Sequence, residues 1–177
     1  MNILAISGSL RAGSLNSMLL RATARLAPPD IRVDLYRELD TLPLFNPDLE
    51  ALDPPPVARL RARIIAADAV LFASPEYAHG VSGVLKNALD WMVGNESFIG
   101  KPVGLFNASP RATIAQAALQ ETLATMAARI VPGACVTLPI LGSGLEEQGI
   151  ATHPDIRERI VAALAHLRSA SRNARGD

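Results

Sequence analysis

The sequence is poor in the residues that build disulfide scaffolds, metal centres and strongly charged faces. A single cysteine, Cys135, excludes an intrachain disulfide and any multi-cysteine metal site. Of the three histidines, His153 and His166 have no partner at ligand spacing and His79 stands alone in a loop, so a metal centre is not expected. Lys+Arg 17 and Asp+Glu 17 cancel, which argues against a nucleic acid or a membrane surface held by bulk charge. No apolar run reaches the roughly 20 residues that span a bilayer; the richest, residues 64–73, is broken by Asp68. The start, MNILAISGS, has no basic segment before its apolar residues and turns polar at Ser7, so a signal peptide is not expected. No G-x-S-x-G elbow supplies a serine nucleophile. What is plentiful is aliphatic: 49% of residues are hydrophobic but only 4% aromatic, enough to build the core of a globular, cytoplasmic chain.

Hydrophobic patterning alternates between two periods. Residues 2–6 form a short apolar run stopped by Ser7-Gly8-Ser9, the pattern of a strand ended by turn formers. Leu15, Met18, Leu19, Ala22 and Leu26 then repeat at helical spacing, with Ser14 or Asn16 as the cap. A second strand is expected at 31–36. Residues 37–53, with Pro43 and Pro47, have no clear period and read as a functional rim with one turn of helix. Three prolines at 54–56 open a helix to about residue 67. AVLFA at 69–73 is continuously apolar, the mark of a strand buried on both faces. A helix from Gly83, a strand at 102–107, a helix at 114–129, a strand at 133–138 and a helix at 155–168 follow, with a polar tail after it. Pro139 places the fifth strand at or near an edge. Five strand–helix alternations predict an α/β fold, a parallel sheet with helices on both faces.

Ligands of such sheets bind beyond the carboxyl ends of the strands, where chain direction switches. The first loop there, SGSLRAGSLNS at 7–17, follows a strand and opens a helix, the context for an anion. It lacks GxGxxG, so a Rossmann dinucleotide is not supported, and Ser14 stands where a Walker loop needs lysine. One arginine, four serines and an asparagine suit a single phosphate monoester: hydroxyls and backbone N–H groups donate, and Arg11 adds a charged fork. A serine-rich capping turn is the plainer alternative. The second loop, SPEYAHG at 74–80, offers Tyr77 as a flat surface for a ring. Phosphate grip beside ring contact is the layout of a mononucleotide site, and strand order 2-1-3-4-5 is one that holds FMN.

GSLRAGSLN at 8–16, SPEYAHGVSGVLKNALDW at 74–91 and LPLFNPDLE at 42–50 resemble the NADPH-dependent FMN reductase family over most of the chain. The resemblance implies a flavodoxin-like three-layer sandwich with a five-stranded parallel sheet, order 2-1-3-4-5, as one FMN-binding domain over residues 1–170 with a polar tail at 171–177. It implies that Ser9, Arg11, Ser14, Asn16 and Ser17 bind the FMN phosphate and Pro75, Glu76 and Tyr77 the isoalloxazine ring, with Ser109 and Arg111 contributing from a third loop. The family commonly carries asparagine where this chain has Ala78, and a glycine-richer third loop. It further implies FMN as cofactor and NADPH as donor, with NADH possible. The acceptor is a small molecule: a flavin, quinone, azo dye or metal oxyanion. A homodimer or homotetramer with FMN near the subunit interface is also implied. The cofactor carries this chemistry, so no catalytic acid or base is nominated.

Other polar residues have plainer readings. Lys86, Asn87 and Asp90 read as a solvated helix face, Glu146 and Glu147 as solvated, Trp91 as packing or interface, and Cys135 as buried and inert. Two rival functions are a flavodoxin-type electron carrier, which would be strongly acidic where this chain is neutral, and a nucleotide-binding regulatory module without turnover.

Overall fold

The computed structural model describes residues 1–175. Strand β1 (Asn2–Ser7) leads to helix α1 (Leu15–Leu26), β2 (Arg32–Tyr36), two 3₁₀ turns (Leu39–Thr41 and Pro47–Leu52), α2 (Pro55–Ala66) and β3 (Ala69–Ala73). A small hairpin, β4 (Glu76–Tyr77) and β5 (Gly80–Val81), precedes α3 (Gly83–Val93) and a third 3₁₀ turn, Glu96–Phe98. Then come β6 (Pro102–Asn107), α4 (Thr113–Thr125), β7 (Arg129–Thr137), α5 (Glu147–Thr152) and α6 (Pro154–Arg175).

The main sheet has the order β2-β1-β3-β6-β7, all parallel, which is the flavodoxin-like order expected. Its residues divide by parity, as successive side chains of a strand point to opposite faces. Ile3, Ala5, Ala69 and Leu71 join α1, α5 and α6 in one core; Leu4, Ile6, Val70 and Phe72 join α2, α3 and α4 in the other. Every residue of β3 and β6 is buried, the outcome that the unbroken AVLFA run predicts.

Several boundaries differ from the sequence reading. SPEYAHG is a hairpin rather than a plain loop. Helix α4 stops at Thr125, because Ala127 takes a left-handed φ of 58° and Ala128 N–H closes back onto Leu123 O at 3.0 Å. This is the closure that glycine usually provides, and an alanine there gives the sequence no stop signal. β7 accordingly starts at Arg129, with its register shifted between Val103 and Leu105 of the neighbouring strand. Cys135 is half-buried rather than fully buried, since β7 is an edge strand; desolvation raises its thiol pKa. Helix α6 continues through the residues read as a tail as far as Arg175, with Ser171 buried, and residues 176–177 lie outside those described.

Two surface readings also change, those of Asn87 and Glu147. Asn87 is not solvated: its Oδ1 accepts Phe45 N–H at 2.7 Å and its Nδ2 donates to Pro43 O at 3.0 Å. Trp91 is buried and donates to the same carbonyl at 2.8 Å, so the aperiodic 43–45 segment is fastened to α3. Glu147 accepts from Arg21 Nε at 2.5 Å, with Arg25 close by, and ties α5 to α1.

The hydrogen bond from Arg21 holds the Glu147 carboxyl below the usual carboxylate range. A depressed folded-state pKa stabilises the fold above the unfolded value, about 4.3, and that contribution disappears as pH falls through the folded value. Glu147→Gln is expected to cost about 0.5–1 kcal/mol at pH 7. In urea unfolding, the gap between variant and wild type should close once the pH is below both values.

Candidate active site

Three strands end at one level and deliver the site. Ser7 pairs with Ala73, and Ala73 with Phe106, one residue before β6 ends. The loops after β1, β3 and β6 therefore leave the same edge of the sheet side by side. Gly8 fixes how close the first two come. Its N–H donates to Ala73 O at 2.8 Å, and a Cβ placed on it would lie 2.4 Å from Ser74 Oγ and 2.9 Å from Ser82 Oγ. Only glycine lets the two loops touch there.

The first loop is a staircase of side-chain-to-backbone bonds. Ser7 Oγ accepts Ser9 N–H at 3.3 Å, Ser9 Oγ accepts Arg11 N–H at 3.3 Å, and Arg11 O accepts Ser14 N–H at 3.0 Å. Ser14, not Asn16, is the N-cap of α1, accepting Ser17 N–H at 3.4 Å. The third loop repeats the arrangement. Asn107 Oδ1 accepts Ser109 N–H at 2.9 Å, and Ser109 Oγ accepts Arg111 N–H at 3.2 Å. The loop is drawn shut by Asn107 Nδ2, which donates to Ala112 O at 2.8 Å. Each turn thus roots one arginine at its end.

Between the loops lies a cleft of about 360 Å³, within the range of small-molecule sites. Ser9, Arg11, Ser14, Asn16, Pro75, Glu76, Tyr77, Ser109 and Arg111 all line it. Ser17 does not: its Oγ pairs with Ser7 Oγ at 2.8 Å behind the turn and faces a neighbouring depression. Sequence reasoning did not nominate Leu15, Ser74, Asn107, Ala108, Ala112 and Leu141, which complete the wall. For Asn107 a signal existed, a buried amide closing an otherwise apolar strand.

The electrostatics are uneven. Neither Arg11 nor Arg111 has a carboxylate partner among the described residues, whereas the acid of the cleft, Glu76, is fully engaged. Its Oε2 accepts Ala115 N–H at 2.9 Å and its Oε1 lies 3.0 Å from His79 Nδ1. The Ala115 bond, aided by His79, lowers its pKa. Asn16 is buried, and its Oδ1 has no hydrogen-bond partner within the protein. Such a group is costly unless something in the cleft meets it.

Residues 1–141 match the model of the NADPH-dependent FMN reductase family, a stretch that ends at Leu141, the last residue lining the cleft. This chain belongs to that family. An NAD(P)H-dependent FMN reductase of Pseudomonas aeruginosa is 38% identical over 98% of this chain and 97% of that protein. A quinone reductase of Pseudomonas putida is 40% identical, over 63% of this chain and 61% of its own length. The solved structure of the flavoenzyme FerB, an NAD(P)H:(acceptor) oxidoreductase from Paracoccus denitrificans, superposes with a TM-score of 0.80 at 30% identity, covering 96% of this chain and 98% of that one. Two features shape the cleft of this FMN reductase family member. The first is the hairpin tip, where Ala78 and His79 hold φ of 49° and 58°. Such two-residue turns usually take asparagine or glycine. The second is the third loop, where Ser109, Pro110 and Arg111 follow one another and the Ser109 hydroxyl holds the Arg111 N–H.

Proposed function

We infer that the cleft binds FMN with its phosphate at the β1–α1 turn and its ring between the β4–β5 hairpin and the third loop. The observation that carries this reading is the unpaired Arg11, rooted by a serine staircase at the start of α1. It offers a guanidinium, hydroxyls and helix-start N–H groups to a dianion. The residues present fit the group. The orphaned Asn16 Oδ1 is an acceptor that a ribityl hydroxyl can satisfy. Tyr77, 59% exposed beside Pro75, presents a flat amphipathic face at the ring end. Ser9 and Ser14 serve the phosphate end, and Ser109 and Arg111 close the opposite wall.

The protein is an NAD(P)H-dependent flavin oxidoreductase with FMN as cofactor and NADPH as donor, NADH being possible. When bound, FMN supplies hydride acceptance and electron delivery, and the protein supplies orientation, charge and exclusion of water. The electron-carrier alternative is not favoured, since the relatives are named as reductases. Among the described residues, no helix is long and apolar enough to cross a membrane. We place the activity in the cytoplasm, where the donor nucleotide is made, and take the acceptor to be a small molecule, with quinones first because quinone reductases are among the relatives. We further propose a homo-oligomer. Leu44 and Leu52, 83% and 72% exposed, come from the rim segment packed on α3, and Val93, 60% exposed, ends that helix. In the oligomer we propose, a second subunit covers these side chains.

Three outcomes test the reading. Arg11→Ala should weaken FMN about 10- to 150-fold, the loss of one charge-assisted hydrogen bond, while riboflavin, which lacks the phosphate, binds variant and wild type alike. Equal losses for both ligands would mean that Arg11 shapes the turn instead. Mixed anaerobically with NADPH, the FMN-loaded protein should lose its visible flavin band near stoichiometrically and regain it on addition of a quinone. Bleaching by dithionite but by neither NADPH nor NADH would restore the carrier reading. Light scattering should give a dimer or tetramer that Leu44→Glu shifts toward monomer, and a monomeric wild type would end the oligomer proposal.

A further inference from the structure

Helix α4 begins without a cap of its own. Its N-cap residue is Ala112, whose methyl group accepts nothing, and its first turn has no acidic residue. The donor that a capping side chain would engage is the N–H of the third helical residue, Ala115. That N–H donates instead to Glu76 Oε2 at 2.9 Å, from a residue 39 positions earlier in the chain. The Glu76 side chain is only 12% exposed, and its other oxygen meets His79 across the turn of its own hairpin. A carboxylate at a helix start is also favoured by the helix dipole.

Both partners in this contact need outside support. The hairpin is two residues long on each side, and neither central turn residue is glycine although both have positive φ. A lone hairpin of that kind is not stable in water. On the other side, Asn107 binds the 108–112 loop to the sheet, but nothing local engages the Ala115 donor. Glu76 therefore joins two segments that both line the cleft.

We propose that Glu76 is a positioning residue, the detached N-cap of α4, which makes the β4–β5 hairpin and the third loop move as one unit and sets the gap that receives the flavin ring. This rests on the FMN reading given above. It also assigns Glu76 a different duty from the ring contact implied by the sequence resemblance. What the position requires is a hydrogen-bond acceptor of this length, so glutamine can stand in for glutamate and alanine cannot.

The test compares wild type, Glu76→Gln and Glu76→Ala. Three quantities are read: amide hydrogen exchange at Ala115 in the FMN-free proteins, dissociation constants for FMN and riboflavin, and the visible spectrum of bound flavin. In Glu76→Ala, Ala115 should exchange at least about 10-fold faster. FMN and riboflavin should both weaken by the same factor, roughly 3- to 30-fold for a lost cap, with a shifted flavin spectrum. Glu76→Gln should return each readout to within about 3-fold of wild type. The proposal is overturned by unchanged exchange at Ala115 in Glu76→Ala, and equally by faster exchange that leaves affinity and spectrum untouched. Glutamine behaving like alanine would overturn it too, because the charge rather than the acceptor would then matter. A wild-type protein that binds neither flavin would sink the FMN reading instead, and exchange at Ala115 would still decide whether Glu76 caps α4.

Discussion

The structure depends on the burial of β1, β3 and β6 on both faces. A parallel strand covered on both sides can be joined to its neighbour only by a crossover that packs back onto the sheet. That constraint sends α1, α5 and α6 to one face and α2, α3 and α4 to the other. It also leaves the loops after the three strands together at one edge, with no choice about proximity. The cleft is thus a by-product of how the core is covered, and its walls are the segments that the core does not need. Chemistry can be written into those segments at little cost to the fold.

The two ends of the cleft are built on different principles. The end at the β1–α1 turn, where we propose the phosphate binds, is local: a serine staircase and a cap at Ser14 lie within one strand–helix turn, and Gly8 presses it against the second loop. The end proposed for the ring is assembled from distant pieces, a short hairpin packed on α4 and the uncapped start of that helix, which the Glu76 carboxylate bonds. Local construction keeps an anion site formed when it is empty. The remote fastening leaves room for adjustment where substrates must come and go.

This difference also governs what could be read from sequence. The five alternations and the unbroken AVLFA strand are short-range signals, and so is the cap of α1, which the sequence narrows to Ser14 or Asn16. Contacts between distant residues leave no such signal. Nothing near Glu147 points to Arg21, 126 positions away, so a paired carboxylate read as solvated. Asn87 looked like helix surface because the segment that covers it has no period of its own. The end of α4 was missed since Ala127 adopts a conformation that its residue type does not advertise. The end of α6 reads as a polar tail by composition, yet it is held by burial of Ser171 and by the Arg129 side chain bonding Ala170 O. Ser17 has a residue type that suits the first loop, but it shares a hydrogen bond with Ser7, a contact between residues ten positions apart, and does not line the cleft.

The matching turns at residues 7–11 and 107–111 bear on how a nucleotide meets this protein. Each pins the backbone of an arginine while leaving its guanidinium without an acidic neighbour, and the two stand across one opening. The chain as a whole carries no net charge, so its distant field is weak, but the mouth of the cleft is locally cationic. An approaching phosphate is drawn in only over the last Debye length, about 8 Å at physiological salt. Long-range steering is absent, and capture occurs at the threshold. Polyanions thereby find no net positive charge to gather on, while small anions are still drawn into the opening.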